Sequence, residues 1–287
     1  MTDLSQPART ITPKGHLGTR VREIFRYREL LVNLVRKDLK VRYKSSVLGF
    51  LWSLLTPAML LVVYYFVFSV LLPGGIPRFP IYLLSGLLVW NLFNVGLVSG
   101  TGSVVGASGI VNKVWFPREV LPLSAIGAAL VHFFLQGIVM VLTLLAFRHP
   151  VGWTYLPLLP VALVALLLFC AALAIFFSAV NVYLRDMQHL VEIALLPLFF
   201  LSPIVYSYDL IANRLGRFAG LYLLNPVTPV VLAFQRAIYG NYSDVVHQFP
   251  FWWYLRNLVF VIIGSSVLLV ISLSVFRRLE GNFTEEL

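Results

Sequence analysis

Charged residues are absent from long reaches of this chain. No Lys, Arg, Asp or Glu occurs between Arg78 and Lys113, between Glu119 and Arg148, or between Arg148 and Arg185, where the only imidazoles are His132 and His149. About 20 consecutive apolar residues are what one helix needs to cross a bilayer's hydrocarbon core, so the pattern predicts a membrane protein. Uncharged apolar runs give spans at 47–72, 81–105, 120–147, 156–182, 193–208 and 258–276. The fifth is the shortest, confined between Glu192 and Asp209 and containing Pro197 and Pro203; proline frees a carbonyl that in lipid must find another partner. The predicted fold class is an all-α integral membrane protein with six transmembrane helices and both termini on one side.

Outside the spans the period changes. Over 21–43, Ile24, Tyr27, Leu31, Leu34 or Val35, and Leu39 recur every three or four residues, with Arg22, Arg26, Arg36, Lys37 and Lys40 largely off that stripe. This predicts an N-terminal amphipathic interface helix over 21–44, lying in the plane of the membrane surface, preceded by a flexible cytoplasmic N-terminus at 1–20. A simple anchor and a docking surface for a cytoplasmic partner fit the same pattern. Residues 209–256 are too long for a turn and too apolar for a solvated loop. Within them, 221–240 (LYLLNPVTPVVLAFQRAIYG) is broken by Asn225-Pro226 and Thr228-Pro229, which predicts short outer re-entrant helices at about 209–250 inside a transmembrane domain of 47–276. The last residues, 277–287, read as a cytoplasmic tail.

The net charge of +10 sets the orientation. Residues 1–46 hold Arg9, Lys14, Arg20, Arg22, Arg26, Arg28, Arg36, Lys37, Lys40, Arg42 and Lys44. With Lys113, Arg118, Arg185, Arg277 and Arg278 on the same side of a six-span chain, 16 of the 22 basic residues face one compartment. Basic residues flanking spans stay cytoplasmic, so both termini are predicted inside. Anionic lipid head groups explain such a cluster without nucleic acid. The first apolar run starts beyond residue 45 and is too long for a signal-peptide core, so no cleavable signal is expected. Cys170, the only cysteine, falls within the fourth span and reads as a small apolar packing residue.

Two inward loops stand out. The first, after a Gly- and Ser-rich stretch at 100–109, reads Asn112, Lys113, Val114, Trp115, Phe116, Pro117, Arg118, Glu119. It is either an aromatic and basic belt at the membrane surface or a short helix pressed into a groove of another protein. The second, 181–189, has similar character, with Arg185 and Asp186 adjacent. Catalytic chemistry is poorly represented: there are 12 acidic residues, hardly any within a span, and no HExxH, CxxC, DxD or GxxxxGK[ST] motif. His132, beside Phe133 and near Gln136, is the one titratable group at depth, as a hydrogen-bonded helix contact or a proton relay. Aromatics make up 14% of the chain. Tyr64, Tyr65, Phe68, Trp90, Phe93, Phe199, Phe200 and Tyr206 are either packing residues or the lining of a path for a sugar polymer, whose pyranose C–H faces stack on aromatic rings without a fixed hydrogen-bond pattern.

Five segments in order, RYKSSVLGFLW at 42–52, KVWFPREVLP at 113–122, NVYLRD at 181–186, LSPIVY at 201–206 and LNP at 224–226, resemble the permease subunits of ABC-2 type polysaccharide exporters. That family includes O-antigen, capsule, teichoic acid and galactan export permeases. The resemblance implies a six-helix permease that forms a homodimer and pairs with two copies of a separate ABC ATPase subunit. ATP and Mg would bind in that partner, with no cofactor in this chain and no catalytic residue. It further implies a coupling segment to the ATPase at Asn112, Lys113, Val114, Trp115, Phe116 and Arg118, joined by Arg185 and Asp186. Arg42, Lys44, Gly49 and Arg118 are candidate contacts for the diphosphate of a lipid-linked glycan, since guanidinium and ammonium donors match phosphate oxygens. An ABC-2 exporter of a drug or free lipid is the nearest rival. A membrane glycosyltransferase would need a catalytic acid near the outer surface, for which only Asp209 and Asp244 stand available, and a passive channel is the third.

Overall fold

The computed structural model describes residues 26–44, 55, 58–59, 62–71, 76–111, 116–240, 242 and 248–287, and the side chains of all of these except 42, 43, 68, 69 and 284. The described residues are helical with intervening turns, and no strand occurs among them. Among the described residues four helices are long and apolar enough to cross a membrane: α2 (Phe79–Gly106), α3 (Val120–Ala146), α4 (Leu158–Tyr183) and α8 (Phe251–Glu280). Three of them start where the sequence restrains the backbone. Pro80 lies in the first turn of α2, and Pro157 and Pro250 precede α4 and α8, positions where a missing N–H costs the helix nothing. The chain is a multi-pass membrane protein.

The amphipathic helix α1 (Arg28–Tyr43) lies against α3. Its seat is Gly127, where a Cβ would come within 2.8 Å of a Val35 methyl. Helix α2 is the hub, packing on α3, α4 and the buried helix over Val227–Ile238, and most of its apolar window is buried. Small residues let it approach its neighbours: a Cβ on Gly100 would fall 2.7 Å from that of Ala174, and one on Gly96 3.0 Å from the Cys170 sulfur. Close approach of backbones is how helices pack where lipid removes the hydrophobic drive. By contrast α3 and α8 leave rows of large apolar residues exposed, among them Ile138, Leu142, Leu145, Phe260, Ile263 and Val267, as expected of faces turned to lipid or to other subunits.

Among the described residues the expected count of six spans is not reached. The predicted fifth span is realised as α5 (Met187–Phe200), only 14 residues long and so about 21 Å at 1.5 Å per residue, short of the ~30 Å core. Pro197 lies in its last turn and the chain then turns through 201–207. Of the predicted first span, 47–72, only residue 55, residues 58–59 and residues 62–71 fall within the described residues, the last of these helical with a π-helical turn over Phe66–Leu71. Beyond α5, α6 (Tyr208–Leu215) runs through a 3₁₀ stretch, Gly216–Leu224, and the chain then bends by 104° into α7 (Val227–Ile238). The bend is built by Asn225: its Oδ1 accepts the Val227 N–H at 3.1 Å and its Nδ2 donates to Ser202 Oγ at 3.0 Å. Every residue of α7 is buried.

The C-terminal tail is packed against the rest of the chain. Helix α8 continues to Glu280 and a short helix, α9 (Phe283–Glu286), folds back against α4 with the Phe283 side chain fully buried.

Candidate coupling surface and translocation path

At the predicted cytoplasmic end, a second core cluster joins Leu34 of α1, Val104, Val111, Phe116, Val120, Ile175, Phe276 and Phe283. Residues 112–115, which carry Asn112, Lys113, Val114 and Trp115, lie outside the described residues. Phe116 is 5% exposed and belongs to this cluster. Its ring packs within the subunit. Arg118 is half-buried, with Nη1 donating to the Glu280 carbonyl at 2.8 Å and the guanidinium carbon 5.6 Å from the Phe283 ring centre. Its guanidinium is therefore engaged by the C-terminal segment, which argues against a diphosphate contact there. Glu119, next in sequence, is fully buried at the N-cap of α3, where the helix dipole favours a carboxylate.

The second inward loop is a tight turn between α4 and α5. Leu184, Arg185 and Asp186 are all exposed on it, and Asn181 Oδ1 accepts the Gln188 N–H at 3.2 Å in the first turn of α5. Lys44 is exposed at the end of α1, while the Arg42 side chain and Gly49 lie outside what the structure describes. A cavity of about 550 Å³ opens between α1, α2 and α3, lined by Lys37, Ser99, Gly102, Ser124, His132 and Gln188 among others.

Of the eight aromatics assigned to a path, the structure brings five into one group. Trp90 packs edge-on against Phe199 at 5.3 Å between ring centres, Tyr64 stacks on Phe199 at 6.0 Å, and Phe200 meets Phe199 at 5.2 Å. Phe93 joins through Trp90 at 5.9 Å; it is fully buried and stacks on Phe169 at 5.5 Å. Trp90 and Phe199 are also buried within the chain, whereas Tyr65 and Phe200 are exposed. The Tyr206 hydroxyl donates to the Phe200 carbonyl and contacts the Tyr222 hydroxyl, tying the re-entrant stretch to the end of α5. The Phe68 side chain lies outside the described residues.

The sequence reading missed a polar cluster on the opposite side. Arg78 Nη1 donates to His149 Nδ1 at 3.2 Å, and the guanidinium lies 4.3 Å above the Tyr242 ring. Arg236, 3% exposed in α7, places its guanidinium 4.4 Å from the Tyr155 ring centre and donates Nη2 to the Tyr155 hydroxyl at 3.2 Å. One signal was available: Arg236 is the only charge in an otherwise apolar buried helix, a placement that requires a partner. Among the described residues no group of three or more His, Cys, Asp or Glu side chains converges to hold a metal ion.

Residues 29–239 match the sequence family described as ABC-2 type transporter. The chain belongs to that family. It is 34% identical over 267 residues to the O-antigen export system permease protein RfbA of Myxococcus xanthus, covering 93% of this chain and 98% of that protein. It is 30% identical over 260 residues to the RfbA protein of Klebsiella pneumoniae, covering 90% and 94% respectively. The polysialic acid transport protein KpsM of Escherichia coli is 24% identical over 73% of this chain and 81% of its own length. An ABC-2 permease is the membrane subunit of a transporter and works with an ABC ATPase subunit.

Proposed function

We propose that this permease is the transmembrane subunit of an ATP-driven exporter that moves a polyprenyl-diphosphate-linked polysaccharide from the cytoplasmic to the outer face of the bacterial inner membrane. The observation that carries the reading is the near end-to-end similarity to RfbA. The exporter consists of two copies of this chain and two ATPase subunits, which hold ATP and Mg. Both termini face the cytoplasm, consistent with the concentration of Lys and Arg at 1–46.

In this reading the segment at 112–115 and the exposed Arg185-Asp186 turn meet the ATPase, and closure of the two ATPases on ATP drives the permeases apart. The glycan passes along exposed aromatic edges such as Tyr65 and Phe200, where stacking without directional bonds permits sliding. The lipid diphosphate approaches from the inner leaflet near Arg42, Lys44 and Gly49, with the cations matching its oxygens and the glycine permitting a close backbone approach.

The test is surface display. Depleting the chain in its native cell should leave lipid-linked glycan accumulating inside while surface glycan falls; undiminished surface glycan overturns the reading. An Arg42→Ala, Lys44→Ala double variant that inserts normally should export several-fold less. Full export by that variant would remove both residues from the mechanism.

A further inference from the structure

We infer that the C-terminal segment is a clamp that holds the two cytoplasmic loops in register for the ATPase, with Phe283 as the positioning residue; this rests on the reading that those loops meet an ATPase. The last four carbonyls of a helix have no intrahelical partner and need outside donors. At the end of α8 two side chains donate to two of these carbonyls. The Arg118 guanidinium reaches the Glu280 carbonyl at 2.8 Å, and the Tyr183 hydroxyl donates to the Leu279 carbonyl at 2.7 Å. The first donor comes from the loop between α2 and α3, and the second from the last residue of α4, where the other loop begins. A cation at this position also complements the negative end of the helix dipole.

Phe283 closes the arrangement. Its ring meets Phe276 edge-on at 5.4 Å and Tyr183 at 6.1 Å, and it lies beneath the Arg118 guanidinium. One side chain thus touches Arg118 of one loop, Tyr183 at the end of α4 and Phe276 of α8. It is 0% exposed, in a terminal stretch whose charged neighbours Glu285 and Glu286 stay exposed. A tail with no task beyond solubility has no reason to bury its one aromatic against both loops. The clamp therefore ties Arg118, just before α3, to Tyr183, at the end of α4, so that a push on one is delivered to the other.

The test uses the full-length chain purified from its native membrane in mild detergent, measuring moles of co-purifying ABC ATPase per mole of permease. Phe283→Ala should lower that ratio at least tenfold in chain that remains inserted and monodisperse, and Phe283→Leu, which refills the site, should restore most of it. A merely structural residue would lower yield and leave the ratio of the surviving protein unchanged, which overturns the clamp. If Phe283→Ala does not accumulate, Tyr183→Phe decides: it removes one hydroxyl and keeps the ring, and should lower the ratio about two- to fivefold, while an unchanged ratio overturns the proposal. Wild-type chain that retains no ATPase would instead sink the coupling reading beneath it.

Discussion

Arg78 and His149 fix one another's chemistry. Arginine can only donate, so the 3.2 Å contact from its Nη1 makes His149 Nδ1 the acceptor, and the proton lies on Nε2, 2.9 Å from the Tyr239 carbonyl it serves. The imidazole is neutral in this arrangement and joins three elements: the start of α2, the turn after α3, and the end of α7. Tyr239 completes the link by donating its hydroxyl to the Pro77 carbonyl at 2.7 Å.

That geometry predicts a pH dependence. Burial pushes the His149 pKa below its ordinary 6.5, partly opposed by the Tyr239 carbonyl and reinforced by the Arg78 charge. The unfolded chain therefore binds a proton at higher pH than the folded one. Stability from this site is complete above about pH 6.5 and falls as pH drops through the folded-state pKa, by at most about 1.4 kcal/mol per pH unit. Thermal unfolding in detergent from pH 8 to pH 5 should show the loss in wild type and a shallower slope in His149→Gln. Parallel profiles for the two proteins would show that His149 is not the titrating group.

Two glycines should respond oppositely to alanine. A Cβ on Gly152 would lie 2.9 Å from the Arg236 carbonyl and 3.3 Å from Gly240 Cα, backbone that cannot step aside. Gly152→Ala should destabilise by about 1–3 kcal/mol. Gly264, inside α8 with nothing within 4 Å, should gain up to about 1 kcal/mol from reduced chain entropy and better helix propensity. Equal melting temperatures for the two variants would contradict the close approach at Gly152.

The Pro203 carbonyl anchors the turn after α5 and receives two donors, Gln235 Nε2 at 2.8 Å and the Tyr82 hydroxyl at 3.4 Å. Tyr82 also donates to the Tyr206 carbonyl at 2.9 Å. Gln235→Leu should cost about 1–3 kcal/mol, because a buried acceptor loses its better donor. Combined with Tyr82→Phe the loss should exceed the sum of the single variants, since each donor partly covers for the other. Strict additivity in a double-mutant cycle would show that the shared carbonyl does not couple them.

Phe116 and Arg185 separate packing from contact. Phe116→Ala should destabilise the chain by about 3–5 kcal/mol through the cavity it leaves, visible as lower yield and melting temperature. Arg185→Glu combined with Asp186→Lys, on an exposed turn, should leave stability within about 0.5 kcal/mol and reduce ATPase co-purification several-fold. A stable Phe116→Ala protein would return that ring to the list of partner contacts.

The sequence by itself determined the membrane class, the approximate limits of the four long helices and the break at Asn225-Pro226, because span length, charge exclusion and proline chemistry are local and one-dimensional. Its period also placed the amphipathic helix that forms α1. What only the tertiary structure decided depends on which faces meet. Phe93 and Phe116 look like lining and contact residues along the chain, yet helix packing turns both inward. After α5 the chain turns at 201–207, where Ser202 and Pro203 find partners in Tyr82, Gln235 and Asn225, residues distant in sequence. The Arg78–His149 link and the burial of Phe283 likewise join elements far apart in the chain. No periodicity records them, because a hydrogen bond or an aromatic contact between remote elements exists only once the helices between them have packed.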